Sequence, residues 1–177
     1  VNSLLRMQSS AMDDEKIKAV FKKIQSRILS MASLHEELYN TDSLNKIDAR
    51  KHFKKLIADL IVAYKLDKDI KLELDIEPLE FDIDTLIPLG LVVNELGINS
   101  LKHAFTGRKK GSIRVCLKKT TGEKEYKLQV IDDGVGMGFD VESENMGAKL
   151  IKAFVKQLNG TVKRLNDNGT VYEIKLK

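Results

Sequence analysis

The spacing of the apolar residues changes character partway along the chain, and this change most constrains the possible fold. Residues 1 to about 40 contain no glycine or proline, and their apolar residues recur at helical intervals. From residue 70 onward, runs that alternate between apolar and polar residues predict strands. The sequence therefore predicts a helical segment followed by an α+β domain.

The first part of the chain predicts two helices that need a partner. Asp13 and Asp14 form a natural break and N-cap between a short helix and a long one. Two helices in a hairpin leave wide apolar stripes uncovered, so they need another domain or a second copy of themselves. We expect a homodimer built on a four-helix bundle. Residues 1–41 would form the dimerisation helices and residues 42–177 the domain that follows.

The second part of the chain predicts a mixed or antiparallel sheet with helices on one face. Helices are expected at 46–64, 84–105 and 146–158, and strands at 70–76, 112–119, 125–131, 161–166 and 170–176. Asp82 or Asp84 would cap the middle helix. Turn residues between neighbouring strands predict that 112–119 pairs with 125–131, and that the last two strands form another antiparallel hairpin.

Composition narrows the class of protein. The chain has a net charge of only +4, with basic and acidic residues interleaved, so nucleic-acid binding is not expected. The densest basic cluster, Arg108–Lys110, lies between glycines and predicts a loop. No stretch reaches the ~20 apolar residues needed to span a membrane, so this fragment is expected to make no membrane contact. The single cysteine, Cys116, fits a reducing compartment, and we expect a cytoplasmic location whether or not the parent protein is anchored in a membrane.

A polar stripe interrupts the apolar helix predicted at 84–105. Glu95, Asn99, Lys102 and His103 fall at i, i+4, i+7 and i+8, so on a regular helix they share one face. The stripe is either an ordinary solvent-exposed face or a ligand site. In a ligand site, the Asn99 amide oxygen could complete a Mg²⁺ shell with phosphate oxygens and water. Glu95 could orient a nucleophile, and the two basic residues could meet phosphate charge.

Glycines mark three further positions. In the loop 132–138, three glycines alternate directly after a predicted strand, which indicates close backbone approach or positive φ, although a plain hairpin turn is also compatible. Asp132 at the strand end could accept a hydrogen bond from an exocyclic amine. Gly147 opens a helix and would either leave backbone N–H groups free for phosphate or simply cap the helix. Gly169 and Thr170, taken alone, predict only a turn and a strand.

Together and in this order, these motifs resemble the catalytic and ATP-binding domain of sensor histidine kinases, in the superfamily shared with gyrase, the Hsp90 chaperone and MutL. The segment NELGINSLKHAF (94–105) resembles the N box, DDGVGMG (132–138) the first glycine box, and MGAKLI (146–151) the second. VNSLLRMQSS (1–10) and RILSMASLHEELY (27–39) resemble the dimerisation helices of one histidine kinase subfamily. The resemblance implies a Bergerat-type α/β sandwich that binds ATP and Mg²⁺.

The resemblance also implies a role for each matching residue. Asn99 would bind the Mg²⁺ that bridges the phosphates, Glu95 would be the general base or an orienting carboxylate, and Asp132 would hold the adenine amino group. The remaining residues would complete the nucleotide site: Lys102 and His103 at the phosphates, Gly134 and Gly136 shaping the pocket, Gly147 where lid and helix meet the phosphates, and Thr170 near the adenine.

The activity implied by the resemblance is phosphorylation of a histidine by ATP, followed by transfer to the receiver domain of a response regulator. In this subfamily the acceptor histidine lies upstream of the segment that matches residues 1–10, so we expect this fragment not to autophosphorylate at the usual position. His35 and His52 are expected to be structural, and His103 belongs to the N box. The alternatives are a degenerate ATP-binding or partner-binding module without kinase activity, and a dimerisation scaffold alone.

Overall fold

The computed structural model describes residues 46–64, 68–121, 125–136, 146–166 and 168–176, and six helical residues nearer the amino terminus. These six form what we call the Arg27 segment: Phe21, Ile24, Gln25, Arg27, Ile28 and Ala32. Their helical state agrees with the helix predicted there. The expected break at Asp13 and Asp14, the helix pairing and His35 lie outside the described residues.

The helices and strands of the second part follow the predicted order. Strands β1 to β7 are Ile47–Asp48, Asp69–Ile76, Glu80–Phe81, Lys110–Lys119, Tyr126–Asp132, Thr161–Asn166 and Thr170–Leu176. Helices α1 to α3 are Ala49–Tyr64, Ile83–Asn99 and Met146–Gln157, and a π-helical turn, Ser100–Ala104, continues α2. The predicted strands and helices are confirmed to within a few residues, except at the end of the middle helix. The two-residue strands β1 and β3 were not predicted.

Five strands form one mixed sheet in the order β2-β4-β5-β7-β6. Strands β2 and β4 are parallel, and the other neighbours are antiparallel. Both predicted hairpins, β4–β5 and β6–β7, are therefore confirmed. A parallel pair needs a long crossover, and the crossover from β2 to β4 contains α2. In the described part of the chain, α2 packs on both α1 and α3, and all three of these helices contact the sheet, which confirms the α+β class.

Helix α2 forms the centre of the core. Asp82 caps it by accepting a hydrogen bond from the Thr85 backbone N–H at 2.8 Å, and Pro88 lies near its start, where proline is tolerated. Every residue from Pro88 to Asn99 is buried. A helix that is buried on all faces carries its polar residues into the interior. Glu95 and Asn99 therefore lie in the core, and the alternative of a solvent-exposed face is wrong for both.

The helix does not continue regularly to residue 105, as the sequence had predicted. At Ser100 the backbone widens into a π-helical turn that ends at Ala104. Such a turn holds an extra residue and rotates the side chains that follow. Lys102 is half-buried and His103 is exposed, so these residues do not share the buried face of Glu95. None of the helices that the structure describes combines the length and the apolar character that crossing a bilayer requires.

Candidate functional site

Asp132 is the last residue of β5, and its side chain is buried in the core. Ser100 Oγ donates a hydrogen bond to Asp132 Oδ2 at 2.8 Å, and the Gly134 backbone N–H donates to Oδ1 at 3.2 Å. Burial raises the pKa of Asp132, while hydrogen bonds from Ser100 and from the backbone of Gly134 and Thr170 oppose the rise. The structure thus holds a desolvated acceptor at the end of a central strand.

Thr170 lies directly opposite Asp132 in the pairing of β5 with β7. Its side chain is buried, and its Oγ1 has no hydrogen-bond partner among the described residues. A buried hydroxyl without a partner is costly in free energy, and natural proteins rarely keep one without a reason. An unpaired hydroxyl beside a buried carboxylate therefore marks a place where a polar ligand group would be stabilised.

The first half of the glycine loop packs directly on the π-helical turn. The Val135 backbone N–H donates to the Ala104 carbonyl at 2.9 Å. A Cβ atom added at Gly134 would overlap the same carbonyl group. The glycine at this position is therefore required by close approach of two backbones, as the sequence indicated. The contact joins the N box to the first glycine box.

The second half of the loop is held by the last hairpin. Gly136 has a φ of 73°, and Arg164 Nη2 on β6 donates to its carbonyl at 2.9 Å. Arg164 Nε is buried and has no partner among the described residues. Sequence reasoning did not identify Arg164, because an arginine in an alternating strand gives no local sign of what it contacts. Residues 137 and 138 of the box lie outside the described residues.

Glu95 and Asn99 lie one turn apart on α2 and are both buried. Glu95 Oε1 accepts a hydrogen bond from Arg27 Nε at 2.7 Å, which forms an ion pair. Glu95 Oε2 and Asn99 Nδ2 have no partner among the described residues. Two unsatisfied polar groups on neighbouring turns of a buried helix indicate a site that a ligand or a second substrate would complete.

Arg27 was not predicted as a site residue. It is 68 positions before Glu95 in the sequence, in the Arg27 segment, and its side chain is 20% exposed. Local patterns show which face of a helix is apolar, but they do not show which distant carboxylate a cation on that helix will meet. The ion pair could be found only once the helix had been placed against the domain.

Lys102 contacts the aromatic ring of Tyr64, the last residue of α1. Its Nζ atom lies 5.6 Å from the ring centre, within the range of a cation–π interaction. The pKa of Tyr64 is raised to about 12, chiefly by burial and then by the negative charge of Glu95, while the positive charge of Arg27 partly opposes the rise. Tyr64 therefore lies within the electrostatic reach of both members of the ion pair. His103, the next predicted phosphate contact, is exposed.

The predicted basic loop has a structural role. Arg108 Nη1 donates to the Asp133 carbonyl, and the Asp133 carboxylate accepts from the Ser112 backbone N–H at 2.7 Å. Lys68 Nζ donates to the Phe105 carbonyl at 2.6 Å, just after the π-helical turn, where a cation is favourable. These contacts fix both ends of the segment between the N box and β4.

Gly147 lies at the start of α3, as predicted, and is buried. The first N–H groups of a helix have no partner inside the helix and can bind anions. Because α3 packs on α2, the helix start lies in the same layer as Glu95 and Asn99. Cys116 is buried in β4, an inner strand, and burial raises the pKa of its thiol. His52 is also buried, with its ring against Phe53.

The described residues include no cluster of three or more His, Cys, Asp or Glu side chains that could hold a metal ion. A Mg²⁺ ion at Asn99 would therefore take most of its shell from phosphate oxygens and water. That arrangement is the usual one for Mg²⁺ in nucleotide sites, where the protein gives only one or two ligands. The buried amide of Asn99 fits such a sparse contribution.

The described helices and strands form an α+β fold whose core contains the polar side chains of Glu95, Asn99 and Asp132. Comparison with known families gives the class of protein. Residues 1–64 match the family model described as histidine kinase. Residues 85–177 match the family of histidine kinase-, DNA gyrase B- and HSP90-like ATPases. The chain belongs to this ATPase family and, within it, to the sensor histidine kinases.

Individual relatives agree with this assignment. The chain is 25% identical over 165 residues to blue-light-activated histidine kinase 2 of Erythrobacter litoralis (strain HTCC2594). The match covers 88% of this chain but only 46% of that relative, so the chain spans about half of the relative's length.

Solved structures support the fold. The histidine kinase domain of the Erythrobacter litoralis EL346 blue-light-activated histidine kinase gives a TM-score of 0.78 at 21% identity, covering 98% of this chain and 82% of that one. The Acinetobacter baumannii histidine kinase AdeS gives a TM-score of 0.61 at 16% identity, covering 99% and 91%. The similarity extends over nearly the whole chain in both cases.

Proposed function

We propose that this chain is the ATP-dependent kinase core of a two-component signalling protein. It would transfer the γ-phosphate of ATP to a histidine upstream of residues 1–10, and from there the phosphate would pass to a response regulator receiver domain. One observation carries the proposal. Thr170 Oγ1 and Asn99 Nδ2 are buried and have no hydrogen-bond partner among the described residues. The two positions are linked, because Ser100, which follows Asn99, donates a hydrogen bond to Asp132, which lies opposite Thr170.

The adenine would bind at Asp132. Its carboxylate is an acceptor that can take a hydrogen bond from the exocyclic amine, and burial strengthens such a bond. Thr170, directly opposite, has a buried hydroxyl available for the ring or for a bridging water. Gly134 and Gly136 let the loop backbone lie close enough to shape the pocket. The two ends of the loop are held in place by Ala104 and Arg164.

The phosphates would bind at the other end of the site. Asn99 would contribute its amide oxygen to Mg²⁺, which, when bound, neutralises phosphate charge. Lys102 and His103 lie on the π-helical turn. Lys102 would add positive charge, and His103 would contact a phosphate. The N–H groups at the start of α3, near Gly147, would donate hydrogen bonds to phosphate oxygens.

Glu95 would act on the acceptor imidazole. Its carboxylate would orient the ring, or take its proton, so that the free ring nitrogen attacks the γ-phosphorus in line with the leaving group. A new N–P bond forms, the bond to the β,γ-bridging oxygen breaks, and ADP leaves. Most of the rate enhancement in phosphoryl transfer comes from positioning and charge neutralisation, and Glu95 and Asn99 on one rigid helix suit that task.

The helical part would assemble two such cores. We propose that residues 1–41 pair in a homodimer and that residues 42–177 form the catalytic domain, as the family match of the first 64 residues to histidine kinases supports. The kinase part would work in the cytoplasm, where response regulators reside.

Calorimetry with Mg-ADP tests the nucleotide site. The unmodified chain should bind, and Asn99→Ala and Asp132→Asn should each weaken binding by about tenfold or more, equivalent to about 1.4 kcal/mol. Asp133→Asn is the matched control, because Asp133 is adjacent but exposed and its Oδ1 can still accept from Ser112. Failure of the unmodified chain to bind Mg-ADP would refute the proposal.

A phosphorylation assay distinguishes a kinase from a binding module without kinase activity. The binding module is the alternative, because Glu95 is buried and ion-paired. A longer form of the protein that includes the upstream histidine should gain acid-labile phosphate from ATP. Glu95→Gln should reduce this labelling strongly while Mg-ADP binding is retained. Nucleotide binding without any labelling of the longer form would establish the binding module instead.

A further inference from the structure

The contact between Arg27 and Glu95 joins two parts of the chain that match different families. Arg27 lies within residues 1–64, and Glu95 lies within residues 85–177. Their Nε and Oε1 atoms are 2.7 Å apart. The Glu95 side chain is 1% exposed, whereas that of Arg27 is 20% exposed. The Arg27 segment therefore reaches the carboxylate from the solvent side.

This arrangement conflicts with the role proposed for Glu95. An acceptor imidazole must come within hydrogen-bond distance of the carboxylate, yet Glu95 is fully buried and one of its oxygens is already bonded to a guanidinium. No substrate ring can occupy the place of Arg27 while the pair is formed. Separation of the pair must therefore precede phosphoryl transfer.

We propose that Arg27 is a gate on Glu95, and that the structure shows the closed state of the kinase. This inference rests on the function proposed above. In the closed state, Arg27 pairs with the carboxylate and keeps it from the acceptor histidine. In the open state, the Arg27 segment moves away and Glu95 becomes accessible. The gate is an autoinhibitory contact between the helical part and the ATP-binding domain.

The pairing has the features of a contact that can be released. A carboxylate in a permanent structural ion pair usually has both oxygens satisfied, but Glu95 Oε2 has no partner among the described residues. Arg27 remains partly exposed, so water can solvate the guanidinium as it leaves.

The gate also lies close to a residue that we assign to the phosphates. The charges of Glu95 and Arg27 both affect the pKa of Tyr64, and Lys102 Nζ lies over the Tyr64 ring. Opening the pair changes the field at Tyr64 and hence at the Lys102 contact. Nucleotide phosphates and the Arg27 segment would thus act on neighbouring members of one cluster.

Distance measurement between spin labels tests the gate. Labels would be placed at the exposed positions Ala32→Cys and Lys156→Cys, with Cys116→Ala in the background. Arg27→Gln removes the charge and should shift the label distances to longer and broader values. Arg27→Lys keeps the charge and is the matched control, and it should preserve the distances of the parent. Identical distance distributions in all three proteins would overturn the gate.

The initial rate of phosphorylation of the longer form, which includes the upstream histidine, tests the gate by function. Arg27→Gln should raise the initial labelling rate several-fold, because the closed population decreases. Arg27→Lys should label at nearly the parent rate. A lower rate in Arg27→Gln would overturn the gate and make Arg27 a positioning residue. Mg-ADP calorimetry on the spin-labelled samples separates the two proposals. If the parent protein does not bind Mg-ADP, the proposed nucleotide site is refuted, while the label distances still test the gate.

Discussion

The hydroxyl of Ser100 donates a hydrogen bond to the buried carboxylate of Asp132 at 2.8 Å. This bond joins the π-helical turn to the end of β5. Asn99 precedes Ser100 in the chain, and Thr170 lies opposite Asp132 in the sheet. A single side-chain bond therefore sets the distance between the residues that we assign to the adenine and the residue that we assign to Mg²⁺.

Removal of this hydroxyl should weaken both the fold and the site. Ser100→Ala leaves a buried carboxylate oxygen without its donor, so the free energy of unfolding should fall by about 1–3 kcal/mol. Urea unfolding measures this loss, and calorimetry should show weaker Mg-ADP binding. Ser112→Ala is the control, because the contacts that Ser112 makes here use its backbone, and it should change stability by under about 0.5 kcal/mol. Equal losses in the two variants would contradict the prediction.

Asp132 should make stability depend on pH. Its pKa in the folded protein is raised above the ordinary 3.8, chiefly by burial. Between those two values the folded state binds more protons than the unfolded state, so the free energy of unfolding falls as pH rises through this window. Asp132→Asn lacks the titration. The stability of the unmodified chain relative to this variant should therefore decrease from about pH 4 upward and then level off, as denaturant unfolding at a series of pH values would show.

Close backbone packing at Gly134 should make it intolerant of a side chain. A methyl group in Gly134→Ala would overlap the Ala104 carbonyl, so the variant should lose about 2 kcal/mol or more of stability and most of its nucleotide affinity. Gly107→Ala is the matched comparison. Gly107 has a φ of 75° with open space around it, so it should lose only about 1 kcal/mol from backbone strain. Thermal unfolding with and without Mg-ADP would show which variant loses more stability and more nucleotide affinity.

Tyr64 should titrate late and should report on the ion pair. The chain has no tryptophan and four tyrosines, so tyrosinate absorbance is unobscured. One tyrosine should ionise near pH 12, and this step should be absent in Tyr64→Phe. Its pKa should fall in Glu95→Gln and rise in Arg27→Gln, because those charges act in opposite directions. Stability should fall as pH rises from about 10 toward 12. If neither variant changed the pKa of Tyr64, the predicted coupling of Tyr64 to the Arg27–Glu95 ion pair would be wrong.

The sequence was most informative where local patterns decide the structure. The alternation in β4 and β5, the Asp82 cap and the turn signals around the last hairpin all depend on residues close together in the chain. Burial of Glu95 and Asn99 could be anticipated as one of two alternatives, because a polar pair in an otherwise apolar helix needs a partner.

The remaining features depend on contacts between distant residues. The π-helical turn arises where Ser100 must reach Asp132 and where Ala104 must meet Val135, and neither requirement is visible in the helix itself. The same applies to Arg27 and to Arg164, whose contacts lie 68 and 28 residues away. Those residues became candidates only when the tertiary structure placed them beside the predicted motifs.

The extra residue in the turn Ser100–Ala104 limits how this motif can be transplanted. A designer who copied residues 94–105 onto a straight scaffold helix would turn Lys102 and His103 by about 100° relative to Asn99. The same error would arise in aligning this chain to a relative with a regular helix here, since the letters would match while the side chains pointed elsewhere. Grafts and alignments that pass through this segment must therefore allow for one inserted residue after Asn99.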